Sequence, residues 1–69
     1  MVIIDESWNN SQRKRELTFL ANTAEDVDLS MVPEDCAIGS AILVVSEGAM
    51  YIKNTEGEWQ KSGSTEVLA

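Results

Sequence analysis

The chain has no histidine, one cysteine, one proline, four glycines and only five basic residues among 69. Each shortage closes off a class of chemistry. Without histidine there is neither a Ser-His-Asp triad nor a Cys-His pair, and no imidazole activates the thiol of Cys36. A single cysteine rules out an intrachain disulfide, and with histidine absent it also removes the usual structural zinc sites, which are built from sets of Cys and His. Gly39, Gly48, Gly57 and Gly63 stand isolated, so neither a phosphate-cradling P-loop nor a dinucleotide fingerprint is present. The longest apolar runs, Val2 to Ile4 and Ala41 to Val45, fall far short of the roughly 20 residues that span a bilayer. The first residues carry neither a basic n-region nor a long apolar h-region, so a signal peptide is not expected. Synthesis and folding in the cytoplasm are expected, and without export the sequon Asn9-Asn10-Ser11 would have no meaning.

What is present suffices for one small domain. Hydrophobic residues make up 43% and charged residues 25% of the chain, too apolar for a disordered acidic segment. A chain of this size buries only about 60% of its unfolded surface, and its core seldom supplies more than about 3–5 kcal/mol. With disulfides and zinc excluded, oligomerisation or docking on a larger partner is the remaining staple. The twelve acids and five bases give a net charge of −7. Residues 1–22 are neutral, with Asp5, Glu6 and Glu16 balancing Arg13, Lys14 and Arg15, so residues 23–69 hold the whole excess. Such a body repels phosphates, which argues against nucleic acid as a partner.

The composition changes three times along the chain. Residues 1–14 read as an extended N-terminal arm and loop, 15–61 as a small β-rich domain, and 62–69 as a flexible C-terminal tail. Between Arg15 and Ala21 the residues alternate, setting Leu17, Phe19 and Ala21 on one face of a strand at about 16–22. Thr23-Ala24-Glu25-Asp26 has the form of a capping box, which predicts a short helix over 24–31 with Ala24, Val27 and Met31 as its apolar stripe and Pro33 as its stop. Ala41 to Val45 is the strongest strand, apolar on both faces and therefore expected to be covered on both. Glu47-Gly48 turns into a strand at 49–54, and Asn54 to Gly57 turns again into 58–61. The fold class that follows is mainly β with one short helix (α+β), a small antiparallel meander completed by oligomerisation.

No catalytic, metal or cofactor-binding residue emerges. Carboxylates pair at Glu25-Asp26, Glu34-Asp35 and Glu56/Glu58, but acid/base work on a sugar needs a walled cleft that 69 residues hardly build. Asp26, Asp28 and Ser30 imitate the start of a calcium loop, yet Met31 replaces its glycine and Ala37 its closing glutamate. Cys36 reads as a small buried hydrophobe. The aromatic residues Trp8, Tyr51 and Trp59 are those an interface would use. Trp59 fits better as the lid of the core, whereas Trp8 is open between packing on its own chain and docking onto another. Arg13-Lys14-Arg15 reads as a solvated edge or as an electrostatic contact to a neighbouring acidic body.

Three stretches carry a resemblance: Phe19 to Val27, Val32-Pro33, and Cys36 to Val45 continued by Met50 to Trp59. Over residues 19–61 the chain resembles a family of small tailed-bacteriophage virion proteins, of head-fibre or capsid-associated type. It departs from that pattern at Val32, where Leu is usual, and at Ile38, where Pro is. The resemblance implies a non-enzymatic virion protein, made in the host cytoplasm, that forms a homo-oligomer, with a trimer expected from fibre symmetry, and attaches to a capsid or neck protein. Val2, Ile3, Ile4 and Trp8 would then swap or anchor, while Ile42, Val44, Tyr51 and Trp59 would form the protomer core and part of the subunit interface. The alternative is an acidic phage adaptor or inhibitor that binds a host protein by imitating the charge of DNA. No membrane and no cofactor enter either reading.

Overall fold

The computed structural model describes residues 1–68, with a radius of gyration of 11.3 Å. The chain is mainly β: one five-stranded mixed sheet in sequence order, β1 (Val2–Asn9), β2 (Lys14–Ala21), β3 (Ala41–Val44), β4 (Ala49–Lys53) and β5 (Trp59–Lys61). The expected three-strand meander is there as β3 to β5, each antiparallel to the next. The sheet is not antiparallel throughout. β2 and β3 run parallel, with Thr18 opposite Ala41 and Ala21 opposite Val44, so residues 22–40 must cross one face to return the chain to the same end.

That crossover contains no α-helix, which corrects the helix expected over 24–31. It forms two single 3₁₀ turns, Ala24–Asp26 and Leu29–Met31. The reach-back of the capping box is present, since the Thr23 N–H donates to Asp26 Oδ2 at 3.2 Å. Propagation then stops at Val27 and Asp28, both extended. Asp28 starts a turn of its own, with Oδ1 accepting from both the N–H and the hydroxyl of Ser30, and a carboxylate so placed competes with the helical ladder. Packing decides the rest. Val27, Leu29 and Val32 rest on the core, whereas Met31 of the expected stripe is 53% exposed. An eight-residue helix has little intrinsic stability to oppose that spacing.

The core lies between the sheet and the crossover. Leu17, Phe19, Ile42, Val44, Ala49, Tyr51 and Trp59 line one sheet face together with Cys36, and Met1 and Leu68 close the ends. Phe19 meets Trp59 edge-on, ring centroids 6.3 Å apart, the arrangement that ring quadrupoles favour. Cys36 is fully buried beside Arg15, as a small hydrophobe would be. Its carbonyl accepts from Lys53 Nζ at 2.9 Å.

Residues 2–9 and 66–68 join the sheet at its two edges, and Ala69 of the expected tail lies outside the described residues. Residues 1–9 are not set apart as an arm, because Val2–Asn9 pairs antiparallel with β2, with a bulge between Ile3 and Asp5. Residues 62–68 return along β5: Lys61 N–H donates to the Glu66 carbonyl at 2.8 Å, Leu68 N–H to the Trp59 carbonyl at 2.9 Å, and Gln60 bridges to Val67.

Two hairpins close through four-residue loops that each end on a left-handed residue. In β3–β4 that residue is Gly48 at φ 59°; in β1–β2 it is Arg13 at φ 55°. Glycine adopts this conformation without the Cβ clash that an arginine meets. Arg13→Gly is therefore expected to stabilise the fold by about 0.5–1 kcal/mol after allowing for the extra freedom of glycine in the unfolded chain. A rise in the urea midpoint at unchanged slope would show it, and a fall would mean that the Arg13 side chain contributes more than its backbone costs.

Candidate interaction surface

The candidate residues separate into two groups. Ile42, Val44, Tyr51 and Trp59 are between 0% and 7% exposed in the core of their own chain, so in this fold they offer no area to a second subunit. Val2, Ile3, Ile4 and Trp8 all lie on β1 and are 50–60% exposed.

β1 is an edge strand, and of its eight residues only Asn9 is even half-buried. It is held by backbone pairing and by polar ties. Arg15 anchors it from β2: its Nη1 donates to Glu6 Oε1 at 2.6 Å, while Nε and Nη2 grip the two oxygens of Asp35 at 2.7 and 2.9 Å. This fork joins β1, β2 and the crossover. At the hairpin tip the Gln12 carboxamide both donates to and accepts from the backbone of Ile38, at 3.0 and 2.7 Å. Of the basic cluster, Arg15 is thus structural within its own chain.

The second feature is the sheet face opposite the core. Register puts Val2 opposite Leu20, Leu20 opposite Leu43, and Leu43 opposite Met50. Side chains paired in register share a face, so these four form an apolar row across β1 to β4, next to a second row in which Ala41 and Ile52 follow Asp5 and Thr18. Leu20 and Leu43 are half-buried by their neighbours, and Met50 and Val2 are exposed. Within its own chain, strand β3 is covered fully on one face only, which leaves the other to the second subunit that the sequence reading allowed for.

Sequence reasoning singled out the apolar residues of β1 but not Leu20, Leu43 or Met50. A signal was available. These residues occupy the alternate positions of strands whose other face is the core, where a solvated sheet carries polar side chains.

A cleft of about 260 Å³ lies beside this face, lined by Ile52, Asn54, Gln60, Lys61 and Ser62 to Ser64. Its amides are engaged with one another: Asn54 Nδ2 donates to Gln60 Oε1, and Gln60 Nε2 to the Ser64 carbonyl. Pockets that hold small ligands begin near 300 Å³ and present convergent free polar groups. Among the described residues, every buried side-chain nitrogen and oxygen has a partner and no cluster of metal-ligating side chains forms.

Hydrogen bonds from Arg15 hold the Asp35 carboxyl below its ordinary value of 3.8, and those from Ser30 do the same for Asp28. Both carboxylates are more strongly favoured folded than unfolded. Their contribution is therefore full above the unfolded pKa near about 4 and is lost as pH falls through the lower folded value. Urea midpoints are expected to fall as pH drops below about 4, with Asp35→Asn reducing the steepness of that fall. An unchanged acid profile in Asp35→Asn would place the loss elsewhere.

No protein-family model, no curated protein and no solved structure matches the chain.

Proposed function

We propose that the chain is a non-enzymatic structural protein of a tailed-bacteriophage virion, of head-fibre or capsid-decoration type, which assembles as a homotrimer and attaches to capsid or neck. The observation that carries the assembly part is the uncovered apolar row Val2, Leu20, Leu43 and Met50 on the open face of the sheet. Contiguous exposed apolar surface of this kind marks interaction sites. The resemblance over 19–61 supplies the phage assignment.

The surface area supports one mode of assembly over another. A folded monomer of 7.6 kDa has an accessible surface of about 4300 Å² by the general scaling, and this chain has 4435 Å². That agreement supports a protomer whose core closes within one chain, with subunits docking completed faces rather than pooling one core.

Light scattering behind a sizing column, at two concentrations an order of magnitude apart, tests the reading. A constant mass near three times 7.6 kDa, reduced to one protomer by Leu43→Lys with the far-ultraviolet spectrum retained, supports it. Co-sedimentation with capsids then locates the attachment, using Ile4→Lys and Trp8→Ala in place of a deletion of 1–12, which would remove the whole of β1. A folded monomer at both concentrations overturns the trimer and directs attention to a host-protein target for an acidic adaptor.

A further inference from the structure

The two edges of the sheet are treated differently. The β5 edge is covered by the chain's own residues 66–68, whereas nothing among the described residues pairs with the outer edge of β1. Open edges in folded proteins are commonly short or guarded by lysine or proline. β1 has eight residues and contains neither. Its bulge lies between Ile3 and Asp5, which leaves Asp5 to Asn9 as an uninterrupted ladder matched to Thr18 through Lys14.

The chemistry along that stretch specifies a guest. Side chains alternate, so Asp5 and Ser7 lie on the open face and Glu6 and Trp8 on the crossover side. Glu6 already has Arg15 at 2.6 Å. Asp5 has no ion-pair or hydrogen-bond partner among the described residues, in a chain whose surplus is seven negative charges. Trp8 is 58% exposed, with its indole N–H already satisfied by Asn10 at 2.8 Å, so what it presents is apolar ring.

A second copy fits this edge poorly. Antiparallel two-fold pairing with the greatest overlap of the regular stretch, centred on Ser7, sets Trp8 of each copy opposite Glu6 and brings no cation to Asp5. Centring the pairing on Asp5 or on Glu6 instead sets that acid opposite its own copy, which is destabilising across strands.

From this edge we infer that β1 receives an extended segment of another protein as a sixth strand, with Lys or Arg facing Asp5 and a large apolar side chain three positions away, on the other face, against Trp8. Main-chain hydrogen bonds supply affinity in such strand addition, and alternate side chains supply the choice of partner. The inference rests on the attachment role given to β1 above and is independent of a virion location. It leaves the apolar row on the open face for contacts between copies.

The test is a titration of the full, ¹⁵N-labelled chain with two synthetic eight-residue peptides of Val and Thr, one carrying Lys and Leu three positions apart and the other Glu and Leu. Amide shifts confined to Val2–Asn9 and their β2 neighbours are expected with the Lys peptide. The Glu peptide should bind about fivefold more weakly or worse, as opposite and like cross-strand charge pairs differ, and Asp5→Lys should reverse the preference. Asp5 is exposed, so the variant's own spectrum confirms that it folds. Equal binding of the two peptides, shifts elsewhere on the sheet, no shift at Asp5 to Asn9, or concentration-dependent broadening of β1 without peptide would each overturn the inference. A chain that takes the Lys peptide but fails to sediment with capsids would overturn the virion reading alone.

Discussion

Trp59→Ala is expected to abolish cooperative unfolding, leaving a chain that shows no urea transition by far-ultraviolet circular dichroism. Trp59 is 6% exposed and meets Phe19 edge-on from the last strand. Truncating a buried tryptophan costs about 3–5 kcal/mol, and a domain of this size seldom has more than about 3–5 kcal/mol in total. The two figures meet, so the variant sits at or below its folding threshold. Trp8→Ala is the internal control. That ring is 58% exposed and lies outside the core cluster, and a surface truncation of this kind stays within about 0.5 kcal/mol. Trp59→Phe, which keeps an apolar ring while shrinking it, should retain a measurable transition at a lower midpoint. Near-equal effects of the two alanine variants would mean that Trp59 is not the lid of the core.

The contrast between the tryptophans also shows which parts of the fold were legible in the sequence. Strands β3 to β5 were legible because local signals agreed: an unbroken apolar run, a glycine where a left-handed residue is needed, and the Asn54 to Gly57 turn. Asn54 fulfils that signal, its Oδ1 accepting the N–H groups of both Glu56 and Glu58. The face of β2 was legible from alternation alone. β1 was not, because a strand with no buried side chain leaves no burial period in the sequence, and the bulge at Ile3 places apolar residues side by side where a regular strand would alternate. The turn residues Asn9, Asn10 and Ser11 between an apolar run and an alternating one were the available hint of a hairpin.

The crossover was hidden for a different reason. Parallel pairing of β2 with β3 is a non-local event, and no residue between 22 and 40 announces it. Once it forms, the crossover's conformation is set by which side chains reach the sheet, and Val27, Leu29 and Val32 do so only if the predicted helix breaks at Asp28. The candidate surface was half legible on the same grounds. Apolar residues on β1 stand out by type, but Leu20, Leu43 and Met50 become a surface only when register brings them into one row.

Ser40→Ala carries the second largest expected loss, and its cause is one hydrogen bond. Ser40 is the only buried polar residue among those described, 1% exposed. Its Oγ accepts the N–H of Leu17 at 3.0 Å, at the place where the ladder between β2 and the returning chain is interrupted. On one side of that gap Ala37 N–H donates to the Arg15 carbonyl; on the other Thr18 pairs with Ala41. The serine hydroxyl thus stands in for a missing main-chain carbonyl. Alanine in its place leaves the Leu17 N–H buried with no acceptor, at about 1–3 kcal/mol. A large part of the total would go with it. Amide exchange separates this cause from a general loss of packing. Leu17 should lose protection beyond what global destabilisation imposes on Phe19 and Ile42, because the open donor is local to Leu17. Ser40→Thr, which keeps the acceptor, should leave Leu17 protected even if its extra methyl lowers the midpoint. A Ser40→Ala variant that unfolds at the wild-type urea concentration with Leu17 fully protected would show that the strands close the gap themselves. In that case the hydroxyl is dispensable and β3 gains its hold on β2 from the apolar contacts alone.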